Sequence, residues 1–462
     1  MKKVLFAIGI FCGLALSALS AEYYVDNVKG NDANQGTKEA PFKTFEKALK
    51  VLKGGDTLHL VHNEDQPYRG CLNINKKYSG TAEKPTVVDG HGALFDGRTV
   101  FPASAWKSEG NGIFSKLLKN NAHVMNHRLG CWSGDFAIVF FDGKDGINCR
   151  KKEDLKPFSY FLFKKNKKAP LHNTLYIKLP EGKTPDDIKV VTLVDPLGIN
   201  VGGDYVTIKN VRAQYTGGDC FDSANAKGVV FDNVEGSYAM DQGISHHGTE
   251  VTVKNSWFHH NAGCGIVDVW PACRSIYINC LIEDNPYRGG VELLGGEHEM
   301  IDCIVRNGSL SIGRKAKAKI KNCLIINGGI ICSSPSPVEI VNCTLYKSKK
   351  GIGGWGQRDM KISNCAFIDC ESVYSWNTND KIKINSNFNY FAPAKFYINR
   401  RNIDFAKYKK LTGQDADSVV VEKYEGKLPP YQTITFGKQK AGADIDTNKI
   451  GINSKLMGIS KQ

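Results

Sequence analysis

Beyond its first two dozen residues the chain has no uninterrupted apolar run approaching the ~20 residues that a membrane-spanning helix needs, so no internal transmembrane segment is expected. Acidic residues are also in short supply, with 47 Asp and Glu against 61 Lys and Arg and a formal charge of +14. Such a surplus favours acidic partners, for which a uronate or sulfated polysaccharide, nucleic acid or an anionic cell surface would all qualify. There is no leucine scaffold with a helical return, which excludes leucine-rich repeats. No acidic cluster has metal-ligand spacing and no Lys/Arg motif singles out one reaction, so neither a metal nor a cofactor is expected.

At the N-terminus, Lys2 and Lys3 precede an apolar run from Val4 to Leu19, followed by the small residues Ser20 and Ala21. This is the pattern of a secretory leader over residues 1–21, and it predicts a secreted or periplasmic protein. Of the 14 cysteines, Cys12 lies in that leader, which leaves an odd number. In an exported chain a disulfide framework is the first expectation. The cysteine positions favour another reading.

From about residue 205 an Asn or Asp recurs at Asn210, Asn233, Asn255, Asn279, Asp302, Asn322, Asn342 and Asn364, at intervals of 20 to 24 residues. A period of this size indicates a solenoid. The segments between the marks show β-branched alternation (Val229–Phe231, Val251–Val253, Ile320) and Gly-rich turns, so each coil is strand and turn. The reading is an all-β chain, a right-handed parallel β-helix whose coils stack at about 4.8 Å. The residue after each mark is small: Val211, Val234, Ser256, Cys280, Cys303, Cys323, Cys343 and Cys365. These fit an inward column, with the five cysteines as free buried thiols in preference to bridges and the marks as an amide ladder. Pro41–Lys53 reads as an amphipathic helix capping the open core. The period breaks between residues 98 and 196, predicting an inserted β domain. Residues 22–97 then form the cap and first coils, 197–390 the β-helix core and 391–462 a C-terminal tail and cap.

Several stretches resemble segments of secreted bacterial right-handed β-helix proteins of the pectate-lyase-like, carbohydrate-active kind. They are Tyr23–Asp32, Gly36–Phe42, Gly55-Asp56-Thr57, Leu175–Gly182 and Thr412–Asp415. The resemblance implies the fold and a glycan substrate, and it leaves the reaction open because one solenoid hosts several chemistries.

Counting thirteen residues from the marks puts His246, Asp268 and Glu292 in one column, with Asp222 joining if a turn differs by one residue. Alternation would point Val267, Val269, Val291 and Leu293 inward and leave Asp268, Trp270, Glu292 and Leu294 outside. Stacked acids suit a glycosidase, which needs one carboxylate ionised and one protonated. Gly265-Ile266-Val267-Asp268 followed by Gly290-Val291-Glu292 resembles the Asp/Glu pair of β-helix glycosidases such as β-xylosidases. That resemblance implies Asp268 as nucleophile and Glu292 as acid/base, and His246 is a third catalytic candidate from its place in the same column. Asp222, Asp241, His247, Trp270, Tyr287, Arg288 and Arg314 are candidate substrate contacts. The adjacent His259 and His260 are expected on opposite faces. The substrate is expected to be a polysaccharide or oligosaccharide, acidic in keeping with the charge, and not nucleic acid. A lyase using His246, Arg288, Arg314 and Lys315 is the alternative reaction, and a non-catalytic glycan-binding or adhesin-type solenoid is the third reading.

Overall fold

The computed structural model describes residues 20–63, 65–119, 138–164, 172–193, 198–285, 289–333, 335–354, 358–376 and 382–451. The expected leader falls almost wholly outside them. The chain is a right-handed parallel β-helix of about eight turns. Each coil begins with a strand such as Glu250–Lys254, bends at a mark, continues in a three-residue strand such as Trp257–His259, and turns into a third strand such as Ile266–Asp268. Among the described residues the first two pair with their counterparts in a twenty-stranded sheet, and the third builds a separate twelve-stranded sheet.

The marks are the bends. All eight have φ between 51° and 55°, a left-handed conformation that Asn and Asp tolerate better than other non-glycine residues. Their side chains link coils: the Asn233 amide donates to Asn210 Oδ1 at 2.8 Å, and Asn279 to Asn255 at 3.2 Å. A second left-handed column lies five residues after each mark, at Tyr215, Tyr238, His260, Asp284, Asn307, Asn327, Lys347 and Asp369. Its residue types vary too much to stand out in the sequence.

Cys280, Cys303, Cys323, Cys343 and Cys365 are fully buried and unbridged, and each thiol donates to the carbonyl two residues before it at 3.2–3.4 Å. Burial pushes the thiols of Cys280, Cys323 and Cys365 well up, which keeps them protonated and inert.

At the N-terminal end, the helix Phe45–Val51 is shorter than the predicted segment. The Thr44 side chain caps it by accepting the Lys47 N–H, and Phe45 and Ala48 are buried against the first coils. Nearby, Gly36 at φ 80° leaves room for Phe42, whose ring would lie 2.1 Å from any Cβ there. At the other end, the helix Phe405–Thr412 stacks Tyr408 on Phe396 with ring centroids 4.1 Å apart.

Between Arg98 and Leu193 the described residues form a five-stranded and a four-stranded sheet. Their core, which includes Trp106, Tyr160, Leu175 and Ile177, touches the solenoid at Met240 and Tyr215. The Arg98 guanidinium lies 4.2 Å over the Tyr215 ring. Ala441, Ala443 and Ile445 of the C-terminal tail pack on Leu324, Ile326, Tyr346 and Ala366, covering the outer face of the later short strands.

Candidate functional site

In the twelve-stranded sheet Val267 pairs with Glu292 and Asp268 pairs with Leu293. Asp268 and His246 therefore share an inward column, while Asp222 and Glu292 share an outward one with Asn200, Ser245, Val267 and Ser311. The expected catalytic pairing of Asp268, Glu292 and His246 is thus corrected. The third strand starts eleven residues after Asn255 but twelve after Asn279, and a one-residue change of register exchanges the two faces of a strand. Val267 and Val269 accordingly point outward, whereas Val291 and Leu293 point inward as expected.

Asp268 and His246 are both 0% exposed, so neither can meet a polymer. Asp268 Oδ2 accepts hydrogen bonds from Ser275 Oγ at 2.7 Å and the Tyr277 hydroxyl at 3.0 Å, and lies 3.1 Å from His298 Nδ1. Burial alone would raise this carboxyl, but His298, the His246 imidazole and Ser275 outweigh it and hold it low. The opposite imbalance acts on His246, whose ring nitrogen Nδ1 meets Ser223 Oγ at 2.7 Å. Burial pushes it down to about 4 despite Asp268. Removed from solvent but hydrogen-bonded, these groups organise the core.

On the outer face, Asp222 Oδ1 lies 3.7 Å from His247 Nε2, which is 3.1 Å from Ser245 Oγ. Trp270, 45% exposed, sets its ring edge-on to His247 with centroids 5.2 Å apart. Burial raises the Asp222 carboxyl against the pull of His247. Asp219, in the turn before the strand, accepts the Gln242 N–H at 2.9 Å. It places an oxygen within 4.8 Å of ligand atoms of Asp222 and His247, so these three could also hold a cation. Asp241 occupies the next turn, its N–H donating to Gly218 O. Arg314 is exposed in the turn after Leu310–Gly313, and its carbonyl and Pro271 both flank Gly295. This puts Arg314 two coils beyond Trp270 on one edge. Glu292 is three coils from Asp222 in the shared column. Tyr287 and Arg288 lie outside the described residues.

A second polar network occupies the outer face of the short strands, between the inserted domain and the C-terminal tail. Arg212 Nε donates to Glu235 Oε2 at 3.1 Å, and His259 Nε2 lies 3.2 Å from Glu235 Oε1. One coil on, Trp257 Nε1 and Arg306 donate to Glu283 at 3.0 and 2.6 Å. Burial would raise Glu235, but His259 and Arg212 together hold it low. His259 and His260 meet, Nδ1 to Nδ1 at 2.8 Å, because the left-handed turn at His260 ends the strand alternation that would have separated them. The signal was present in the sequence, since Arg212, Glu235, Trp257, His259, Glu283 and Arg306 all stand two or four residues after one of the first five marks.

A family model described as the right handed beta helix region matches residues 267–392, and one described as a protein of unknown function, DUF1565, matches residues 28–66. No curated protein matches the sequence. Among solved structures, XylC in complex with xylose is 12% identical, over 91% of this chain and 88% of its own, with a TM-score of 0.60. Pectate lyase Pel9A is 16% identical over 80% and 78%, with a TM-score of 0.45. A rhamnogalacturonan lyase is 11% identical over 96% and 99%, with a TM-score of 0.43. At such identities the likeness is one of fold, and with the repeat geometry it makes this chain a right-handed parallel β-helix protein similar in architecture to XylC.

Proposed function

We propose that this chain is an exported glycoside hydrolase that cleaves a polysaccharide or oligosaccharide along the outer face of the twelve-stranded sheet. The observation that carries the reading is the grouping of Asp219, Asp222 and His247 beside the exposed Trp270. A carboxyl raised by burial, as at Asp222, suits the acid that protonates a leaving oxygen. Asp219, with an oxygen within 4.8 Å, is the partner carboxylate. Close carboxylates are the arrangement of retaining enzymes, whereas inverting ones keep theirs roughly 6.5–9.5 Å apart, so Asp219 takes the nucleophile's role. Trp270 offers a flat apolar ring for a sugar face. His247 binds hydroxyls, and Asp241, Glu292 and Arg314 line the path further along, with Arg314 facing any acid group of the substrate.

A lyase reading draws on the exposed Arg314 and Lys315, since β-elimination next to a uronate carboxylate needs cations. A polysaccharide panel with two readouts separates the possibilities. New reducing ends without ultraviolet absorbance support hydrolysis, and unsaturated products establish the lyase. Retention of glycan with no cleavage of any polymer leaves a binding solenoid and overturns the enzyme reading.

A further inference from the structure

The first coils carry a group of side chains that the proposed glycan site does not use. His59, on the strand Thr57–Leu60, stands in register between Tyr24 and Asp89 of the neighbouring coils. After Asp89 the ladder shifts: Lys209 pairs with Asp89 and Val211 with Ala93, so Gly90, His91 and Gly92 oppose the single Asn210. This bulge gives His91 a φ of 49° and folds its ring over His59, with centroids 5.2 Å apart.

The four ring nitrogens are sorted by this geometry. The inner two, His59 Nδ1 and His91 Nε2, face each other at 2.9 Å. The outer two face carboxylates, His59 Nε2 at 3.8 Å from Glu22 Oε2 and His91 Nδ1 at 3.7 Å from Asp89 Oδ1. His59 Nε2 is buried and makes no hydrogen bond. A neutral pair sharing one N–H between the inner nitrogens leaves one outer nitrogen bare against a carboxylate, whichever tautomer is chosen. A cation between the inner nitrogens removes the conflict, because both N–H groups then point outward. Metal-bound imidazoles turn their second nitrogen to a carboxylate in this manner.

We propose that His59 Nδ1, His91 Nε2 and Asp89 Oδ2 form a binding site for a first-row divalent transition ion such as zinc, the ion displacing the Lys209 ammonium that now lies 2.9 Å from Oδ2 while Oδ1 stays with Asn210 and the His91 N–H. The three residues offer ligand atoms within 4.8 Å of one another. With bonds of about 2.0–2.1 Å, two ligands of a tetrahedral zinc ion lie roughly 3.3 Å apart, so the inner nitrogens need to open only slightly. Imidazole with carboxylate suits zinc, cobalt or nickel and not calcium or magnesium, which take oxygen ligands. The ion would tie the bulge of one coil to the coil before it, and its fourth position stays open to water.

The test uses the full mature chain without a polyhistidine tag, stripped with chelator, and then titrated with Co²⁺ followed by visible absorption and with Zn²⁺ followed by calorimetry. One equivalent is expected to bind, with the ligand-field bands of a nitrogen-ligated site. His91→Asn keeps a residue that tolerates positive φ and should abolish that uptake, with an unchanged circular dichroism spectrum. Glu22→Gln should weaken it by about 10–100-fold, as for other carboxylates behind a ligand. Absence of uptake by the unmodified chain overturns the site, and so does equal affinity in His91→Asn. Loss of uptake in Asp222→Asn but not in His91→Asn would move the ion to Asp219, Asp222 and His247, and would likewise overturn it.

Discussion

His246 and Asp268 stand directly beside each other on successive coils, both facing the interior of the solenoid. Each is held by core hydroxyls, Ser223 for the imidazole and Ser275 with Tyr277 for the carboxylate. Their chemistry is thus spent on the fold, and exchanging them should be read first in stability.

Asp268→Ala leaves His298 and the two hydroxyls without their acceptor inside the core. Each buried donor left without its acceptor costs about 1–3 kcal/mol. Thermal unfolding should show a large fall in Tm. An Asp268→Ala protein with unchanged Tm and lost glycan cleavage would return Asp268 to the active site.

The depressed His246 imidazole predicts a pH limb. Above pH 6.5 both folded and unfolded chains hold it neutral, and stability is unaffected. Between pH 6.5 and about 4 only the unfolded chain takes up the proton, so stability falls as pH falls, by about 3 kcal/mol over that window. Urea unfolding across this range should show the decline for the unmodified chain and a shallower one for His246→Leu, which cannot titrate.

At the outer face the expected signature is the reverse. Asp222→Asn should lower kcat by about 10²–10⁴-fold while leaving Tm close to that of the parent. Trp270→Ala should raise KM by roughly tenfold with little change in kcat, as for loss of a contact made equally in ground and transition states. Equal kinetics in both variants would remove this face from consideration and direct attention to Glu235 and His259.

The surplus of basic residues predicts salt-sensitive retention of acidic glycans, since exposed charges are screened over about 8–10 Å at 0.1–0.15 M salt. Affinity electrophoresis should show stronger retardation by a uronate polymer than by a neutral one, with the difference lost at high salt. Equal retardation at low salt would count against an acidic substrate.

The cysteine column should be silent to thiol reagents in the native chain and react fully once unfolded. Burial excludes reagent from Cys280, Cys303, Cys323, Cys343 and Cys365, whereas Cys71 and Cys149 are only partly covered. Rapid native labelling of the column would mean that the solenoid opens there.

The amino-acid sequence by itself determined the solenoid, its period and its cysteine column, because each coil repeats the same demand. An Asn or Asp must take the left-handed bend, and the next residue must be small enough to point inward beside its neighbours. What the repeat could not determine was the face presented by the third strand of each coil. The run from mark to strand varies between eight residues after Asp302 and twelve after Asn279, and the left-handed residue that opens its turn is of no fixed type. One added residue there sends Glu292 outward while Asp268 turns inward. Counting from the marks therefore placed the coils correctly and exchanged the faces of two strands, those that carry His246 and Asp268. The pairings of Asp222 with His247, Arg212 with Glu235 and His59 with His91 join residues of different coils, or of a bulge and a strand. Only the stacking of the coils brings those side chains within reach of one another.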